Sequence, residues 1–276
     1  MSSLESRHKM KLKESQHDTL EILQKLDELC RKLNITYWVM YGTLIGTIRH
    51  KGFIPWDDDF DVCMPRPDYD RFTRYFEENN NDVDDLYLDN YKYNVNSFLW
   101  INRICDKEHE LIFERWNHKS GLFIDIYPFD GMGDEDDKFF WKENKKRNYN
   151  YVKGLYMASE HTPFYGNSTV HKILNTPYDL YSKIKGKHYF YEKIDSVSKT
   201  FQWDESEYVG LPVWAMWLKF LDKKWFDETI YLPFENTKVP VPAGYDSILR
   251  TVYGDYMKLP PEDQRKPQHD YAAYKL

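Results

Sequence analysis

The segment Tyr41–Tyr69, YGTLIGTIRHKGFIPWDDDFDVCMPRPDY, sets four aspartates into the five positions 57–61 and follows them with apolar residues. Side chains two apart on a strand point to the same side. A strand over Asp57–Met64 therefore turns Phe60 and Val62 toward a core and holds Asp59 and Asp61 side by side on the other face. Two carboxylates at that distance repel unless a cation neutralises them. A hard divalent ion, Mg2+ or Mn2+, suits the pair, because it takes oxygen ligands and keeps coordination sites for substrate phosphates. A bare Asp-x-Asp is ordinarily a solvated acidic turn, but this one stands in an apolar alternation. An EF-hand loop is disfavoured, since the required Gly and the distal Glu are missing.

The residues around the acids extend the pattern. Tyr37–Tyr41 is a short β-prone run, and Gly42-Thr43 follows it at once. A Gly after a strand lets backbone amides approach a ligand, and a helix start then offers free N–H groups to phosphate. A short helix is expected over Thr47–His50, and Pro55 marks a turn. Of the nearby bases Arg49, His50, Lys51, Arg66 and Arg71, Arg49 and Lys51 rank first for pairing with phosphates, because they share the loop between the Gly turn and the acids. A third acid, Asp125, lies in the apolar run GLFIDIY, which reads as a strand closed by Pro128 and Gly131. Beside the first acidic strand it would complete a three-carboxylate site, as metal ligand or general base; alone it would cap a turn.

The remaining chain supplies a scaffold. Leu20, Leu23, Leu26, Leu29 and Leu33 recur at spacings of three and four, which predicts a helix over Leu4–Leu33 ended by Asn34. Asp68–Glu78 reads as a helix. Tyr87–Tyr91, Phe98–Cys105 and Glu110–Arg115 read as an antiparallel meander. Helices are expected over Asp134–Tyr156 and in parts of His161–Gln202. A hairpin is expected over Thr229–Val241, turning at Glu235-Asn236, then a helix over Tyr245–Tyr253 ended by Gly254. The Pro-rich tail from Lys258 reads as irregular. A mild composition shift near Asp134 divides a catalytic core with its N-terminal helix, 1–133, from a mostly helical, aromatic-rich half, 134–276. The fold class is α+β.

Net charge of −7 without a basic stripe argues against nucleic acid as partner. The widely spaced Cys30, Cys63 and Cys105 form neither a disulfide framework nor a zinc pattern. The N-terminus lacks an apolar signal region and no run is long enough to span a membrane. A soluble, cytoplasmic protein is expected, with peripheral contact at the inner face of the membrane left open by its Trp and Tyr content.

At GTLIGTIRHKGFIPWDDDFDVCMPRPDY, GLFIDIYPFDG and VPVPAGYDSILRTVYGDYMKLPP the sequence resembles the LicD family of phosphocholine transferases, a branch of the nucleotidyltransferase-fold superfamily related to the fukutin-type transferases. The resemblance implies a mixed β-sheet flanked by helices. It matches the superfamily's Gly-Ser-like turn to Gly42-Thr43, with Thr43 where Ser or Gly is usual. It matches the acidic pair to Asp59 and Asp61, and the third acid to Asp125. The implied reaction moves phosphocholine, or a related alcohol phosphate, from CDP-choline or another CDP-alcohol to a hydroxyl of a cell-surface glycan, free or lipid-linked, and releases CMP. Trp56, Trp100 and Trp116 are candidates for a cage around the trimethylammonium group. His118 and Glu235 are candidate pocket residues, and Tyr253 and Asp255 either close the site or pack the C-terminal helix, packing being favoured. The competing readings are a glycosyltransferase that uses a nucleotide sugar through its Asp-x-Asp motif, and a binding protein without activity.

Overall fold

The leucine stripe near the N-terminus becomes α1, Leu12–Leu33, in a computed structural model that describes residues 8–94, 97–113, 119–159, 169–214 and 218–276. The helix starts where the Glu14 carboxylate accepts the Lys11 N–H at 2.6 Å. It buries Ile22, Leu23, Leu26 and Leu29, and Asn34 ends it in the left-handed region at φ 51°.

The central sheet is built around β1, Trp38–Val39; β2, Asp61–Pro65; β3, Leu86–Asp89; β4, Asn102–Asp106; and a long strand, β7, Phe123–Gly131. Its order is β1-β2-β7-β4-β3. Neighbours are antiparallel except β2 and β7, which run parallel. The second half of the chain extends this sheet: β8, Tyr208–Gly210, pairs with the end of β7, and β9, Leu221–Asp222, pairs with β8. Two helices follow the first strands, α2 at Tyr41–Arg49 and α3 at Arg66–Glu78. Phe72 and Phe76 of α3 and Leu44 of α2 are fully buried. Cys30, Cys63 and Cys105 are buried free thiols.

Several elements differ from the sequence expectation. The strand expected over Asp57–Met64 begins only at Asp61, and α2 begins at Tyr41 rather than Thr47, so Gly42 lies in a helical first turn. The expected meander breaks after β4, because β5, His109–Phe113, joins a separate sheet between β6, Lys119–Ser120, and β12, Tyr271–Lys275. The tail is therefore not irregular to its end. Pro128 does not close β7: it lies beyond the last β4 pair at Ile126 and before the first β8 pair at Asp130, where the missing N–H breaks no ladder bond with either strand.

Among the described residues the second half also holds three α-helices and one hairpin, with irregular segments between them. Helices α4, Asp137–Ala158, and α5, Thr169–Ser198, pack together, and Gly186 interrupts α5 at φ 78° and ψ 164°. Strands β10, Thr229–Phe234, and β11, Thr237–Pro242, form the expected hairpin with Glu235 turning at φ 50°. Helix α6, Tyr245–Tyr253, ends at Gly254 as the sequence predicts.

Candidate active site

Asp57, Asp59 and Asp61 line a cavity of about 680 Å3 beside the start of β2. Gly42 and Arg49 of α2, Tyr127 of β7, Trp56, Trp214 and parts of the segment 253–268 complete its walls. Phe60, between the acids, turns the other way into the core and meets Phe53 and Phe234 edge-on. That anchor aims its two neighbours at the cavity although Asp59 precedes the strand proper. A Cβ on Gly42 would sit 2.8 Å from Asp57 Oδ2, so a larger residue there would displace that carboxylate.

The acids are held in a state that costs free energy. Asp61 is buried, and its Oδ1 has no hydrogen-bond partner. Burial, then the charges of Asp59, Asp125 and Asp57, push its carboxyl well above the usual range, with Arg103 opposing. Burial also raises Asp59, with Asp125 and Asp58 adding to the shift and His269 opposing it. Asp57 is pushed to about 8 by burial and by the charges of Asp59 and Asp58. One ligand oxygen each from Asp57, Asp58 and Asp59 lies within 4.8 Å of the others. A buried carboxylate oxygen without a partner, set among crowded acids, is what a bound cation would satisfy, so the residues fit a divalent metal.

Asp125 stands behind this cluster. On β7 it is the register partner of Asp61 on β2 and of Arg103 on β4. Arg103 Nε donates to its Oδ1 at 2.7 Å and Nη2 to its Oδ2 at 2.9 Å, both side chains being buried. The guanidinium lies 3.6 Å from the Phe123 ring centroid. Each carboxylate oxygen keeps a further lone pair for a metal.

A family model described as "LicD/FKTN/FKRP, nucleotidyltransferase domain" matches residues 34–170, the span that holds all of these acids and Arg103. The Lipopolysaccharide cholinephosphotransferase LicD of Haemophilus influenzae is 33% identical over 286 aligned positions, which cover 97% of this chain and 99% of that protein. The chain belongs to the LicD family. An uncharacterized protein of Rickettsia typhi matches a shorter stretch, 42% identical over 54 residues, or 20% of this chain and 18% of that one.

Within this LicD-family chain the sequence-predicted residues separate into groups. Gly42, Arg49, Trp56, Asp59 and Asp61 line one cavity. Arg49 Nη1 donates to the Tyr256 carbonyl at 2.8 Å, which ties α2 to the tail. Thr43 is buried, and its Oγ1 accepts the Asp61 N–H at 2.8 Å, so the hydroxyl holds the acidic strand in place. Lys51 is exposed at φ 61° and is not part of the cavity lining. Glu235 also lies off the lining: its carboxylate accepts the Phe53 N–H at 3.0 Å and its own N–H donates to the Lys51 carbonyl, which clamps the turn after α2. Trp100 is buried 5.8 Å from Trp214, and it is Trp214 that reaches the cavity. His118 and Trp116 lie outside the described residues.

Other site residues carry no short motif. Tyr253 and Asp255, for which the sequence favours packing of α6 over closing the site, line the cavity, as do Pro260, Pro261, Gln264 and Gln268 of the tail. Asp58 fixes that tail. Its carboxylate accepts the N–H groups of Gln268 and His269 at 3.2 and 2.9 Å, and pairs with His269 Nδ1 at 3.0 Å. Of the four clustered acids, Asp58 is thus the one committed to structure.

Proposed function

We propose that this chain transfers phosphocholine, or a related alcohol phosphate, from a CDP-alcohol to a hydroxyl of a lipopolysaccharide-type glycan and releases CMP. The observation that carries the reading is the buried, unpartnered Asp61 Oδ1 beside Asp57 and Asp59 in a cavity rimmed by aromatic rings, in a chain aligned over its length with a cholinephosphotransferase. Asp59 and Asp61 would hold Mg2+ or Mn2+, with Asp125 available behind them and Asp57 left as a base beside them. A bound ion supplies charge neutralisation of the diphosphate.

The chain's own residues do the rest. The first turn of α2 at Gly42 presents amides without intrahelical acceptors to the diphosphate. Arg49 adds a cation at the rim. Tyr41, Tyr127, Tyr253 and Trp214 give the trimethylammonium group ring faces close to carboxylates. Trp56 suits this less well, since Arg265 lies 5.7 Å from its ring centroid. The acceptor oxygen attacks the phosphorus that bears the alcohol, the bond to CMP breaks, and Asp57 accepts the hydroxyl proton. Positioning and charge stabilisation supply most of the rate.

The test is incubation with a panel of CDP-alcohols and glycans, with Mg2+, Mn2+ or chelator. Metal-dependent CMP release and a phosphodiester product are expected from one CDP-alcohol. A glycosidic product made from a nucleotide sugar would overturn the reading in favour of a glycosyltransferase.

A further inference from the structure

We propose that the first half of α5 is a docking face for an anionic lipid surface, an inference independent of the transfer reading. Leu174, Pro177, Leu180, Tyr181 and Ile184 are exposed and spaced i, i+3, i+6, i+7 and i+10. At about 3.6 residues per turn that spacing gathers them into roughly a third of the helix circumference. Leu174, Leu180 and Ile184 are 70%, 59% and 75% exposed, which is unusual for three large aliphatic side chains on one helix face. The opposite side holds the helix to its scaffold: Ser182 is buried, and Tyr178 Oη donates to the Asn150 carbonyl of α4 at 2.6 Å. The stripe is therefore fixed facing outward.

The charge around it selects the partner. Residues 181–189, YSKIKGKHY, hold three lysines and a histidine and no acid, in a chain of net charge −7. Lys183 and Lys185 are exposed and fall on the two flanks of the stripe. Lys183 reaches the half-buried Asp179 at 3.0 Å, a surface i,i+4 pair that opens at little cost. Apolar side chains edged by lysines, with tyrosine among them, match the boundary between acyl chains and anionic headgroups. A second copy fits poorly, because a two-fold contact would set the same lysines against each other. Among the described residues no helix is long and apolar enough to cross a membrane, so the contact is one of lying on the surface.

The full chain is tested by flotation with phosphatidylcholine vesicles made with and without phosphatidylglycerol, at low and high salt. It should float only with the anionic vesicles and be released by salt. Lys183→Glu with Lys185→Glu should weaken binding at least tenfold, since one lysine near such a surface is worth on the order of fivefold. Leu180→Glu with Ile184→Glu should abolish flotation at unchanged Tm. Failure of the wild type to float with anionic vesicles would overturn the proposal, as would wild-type flotation by both variants. So would light scattering that shows a dimer which Leu180→Glu with Ile184→Glu converts to a monomer.

Discussion

Asp61 and Asp125 are register partners across the one parallel pairing of the central sheet, and Arg103 faces Asp125 from its other side. The row reads acid, acid, base across three neighbouring strands. Arg103 neutralises one acid and leaves Asp61 uncompensated, with Asp59 and Asp57 adding further negative charge in front of it. A fold selected for stability alone would not leave a buried carboxylate oxygen without a partner. The surplus of negative charge is what a site for a cation requires before the cation arrives.

Asp61→Asn should therefore separate activity from stability. Transfer activity should fall by about a thousandfold, the usual scale for removing a charge-stabilising group. Without divalent ions the variant should melt higher than wild type, by about 1 kcal/mol, as other relieved functional sites do. The folded state holds a proton on Asp61 more tightly than the unfolded chain does, so this group's contribution falls as pH rises above the unfolded value. The advantage of Asn should then grow from pH 5 to pH 8 (about these values). Mg2+ should raise the Tm of wild type and not of the variant. An Asn variant that melts lower than wild type in chelator at every pH would refute this account of Asp61.

Arg103→Met should be among the most destabilising single changes in the chain, by about 3–5 kcal/mol, because it strands the buried Asp125 charge. Adding Asp125→Leu should recover most of the loss, since an apolar pair replaces an ion pair at small cost. Activity should not return in the double variant, because the group behind Asp61 is gone. Denaturant midpoints give the stabilities. Additive losses in the double variant would show that the two side chains do not act as a pair.

What could be read in advance follows the range of the signal. The strand around Asp125, the hairpin and α6 with Gly254 are local patterns and stand where the sequence puts them, whereas of the acidic run only Asp61 lies on the expected strand. Arg103 carries no motif, and its one signal is a lone charge in the otherwise uncharged run FLWINRIC, where a charge is buried only with a partner. Because every residue of β4 is buried, no alternation tells which face Arg103 takes. The pairing of β12 with β5 joins segments about 160 residues apart, as Tyr271 opposite Phe113 shows, and no local rule encodes it. The tail's place on the cavity wall depends on that pairing and on Asp58, so local pattern favours packing for Tyr253 and Asp255 over a place at the site. Lys51 stands close to the Gly turn in sequence, but its left-handed backbone carries it outward.

His109 makes stability depend on pH away from the cavity. Its Nδ1 meets Asp106 Oδ2 at 2.5 Å and its Nε2 meets Asp18 Oδ2 at 3.0 Å, which joins β5 to α1. Burial favours the neutral ring, but the hydrogen bonds and charges of Asp106 and Asp18 outweigh it and raise the pKa above the usual imidazole value. A raised pKa means the protonated ring stabilises the folded state. That contribution is complete below the unfolded value and disappears as pH rises through the folded one. It amounts to about 1.4 kcal/mol for each tenfold gain in proton affinity on folding. The stability difference between wild type and His109→Gln should thus be larger at pH near 6 than near 9 (both approximate). A difference that stays constant across that range would sink the assignment.

Thr43 tests whether the hydroxyl serves the strand or the substrate. Its Oγ1 accepts the Asp61 N–H at 2.8 Å in a buried turn, and that bond fixes where β2 begins. Thr43→Ser keeps the acceptor and should leave both stability and activity within about twofold of wild type, a loss of well under 1 kcal/mol. Thr43→Val has nearly the same shape but strands the Asp61 N–H, at a cost of about 1–3 kcal/mol. The freed strand start should also let Asp61 drift from Asp59, so kcat should fall and more metal be needed for half-maximal activity. If the hydroxyl instead contacted only the substrate, Thr43→Val would raise KM and leave the Tm untouched. Thermal melts and titrations of Mg2+ and donor on the three proteins distinguish these outcomes.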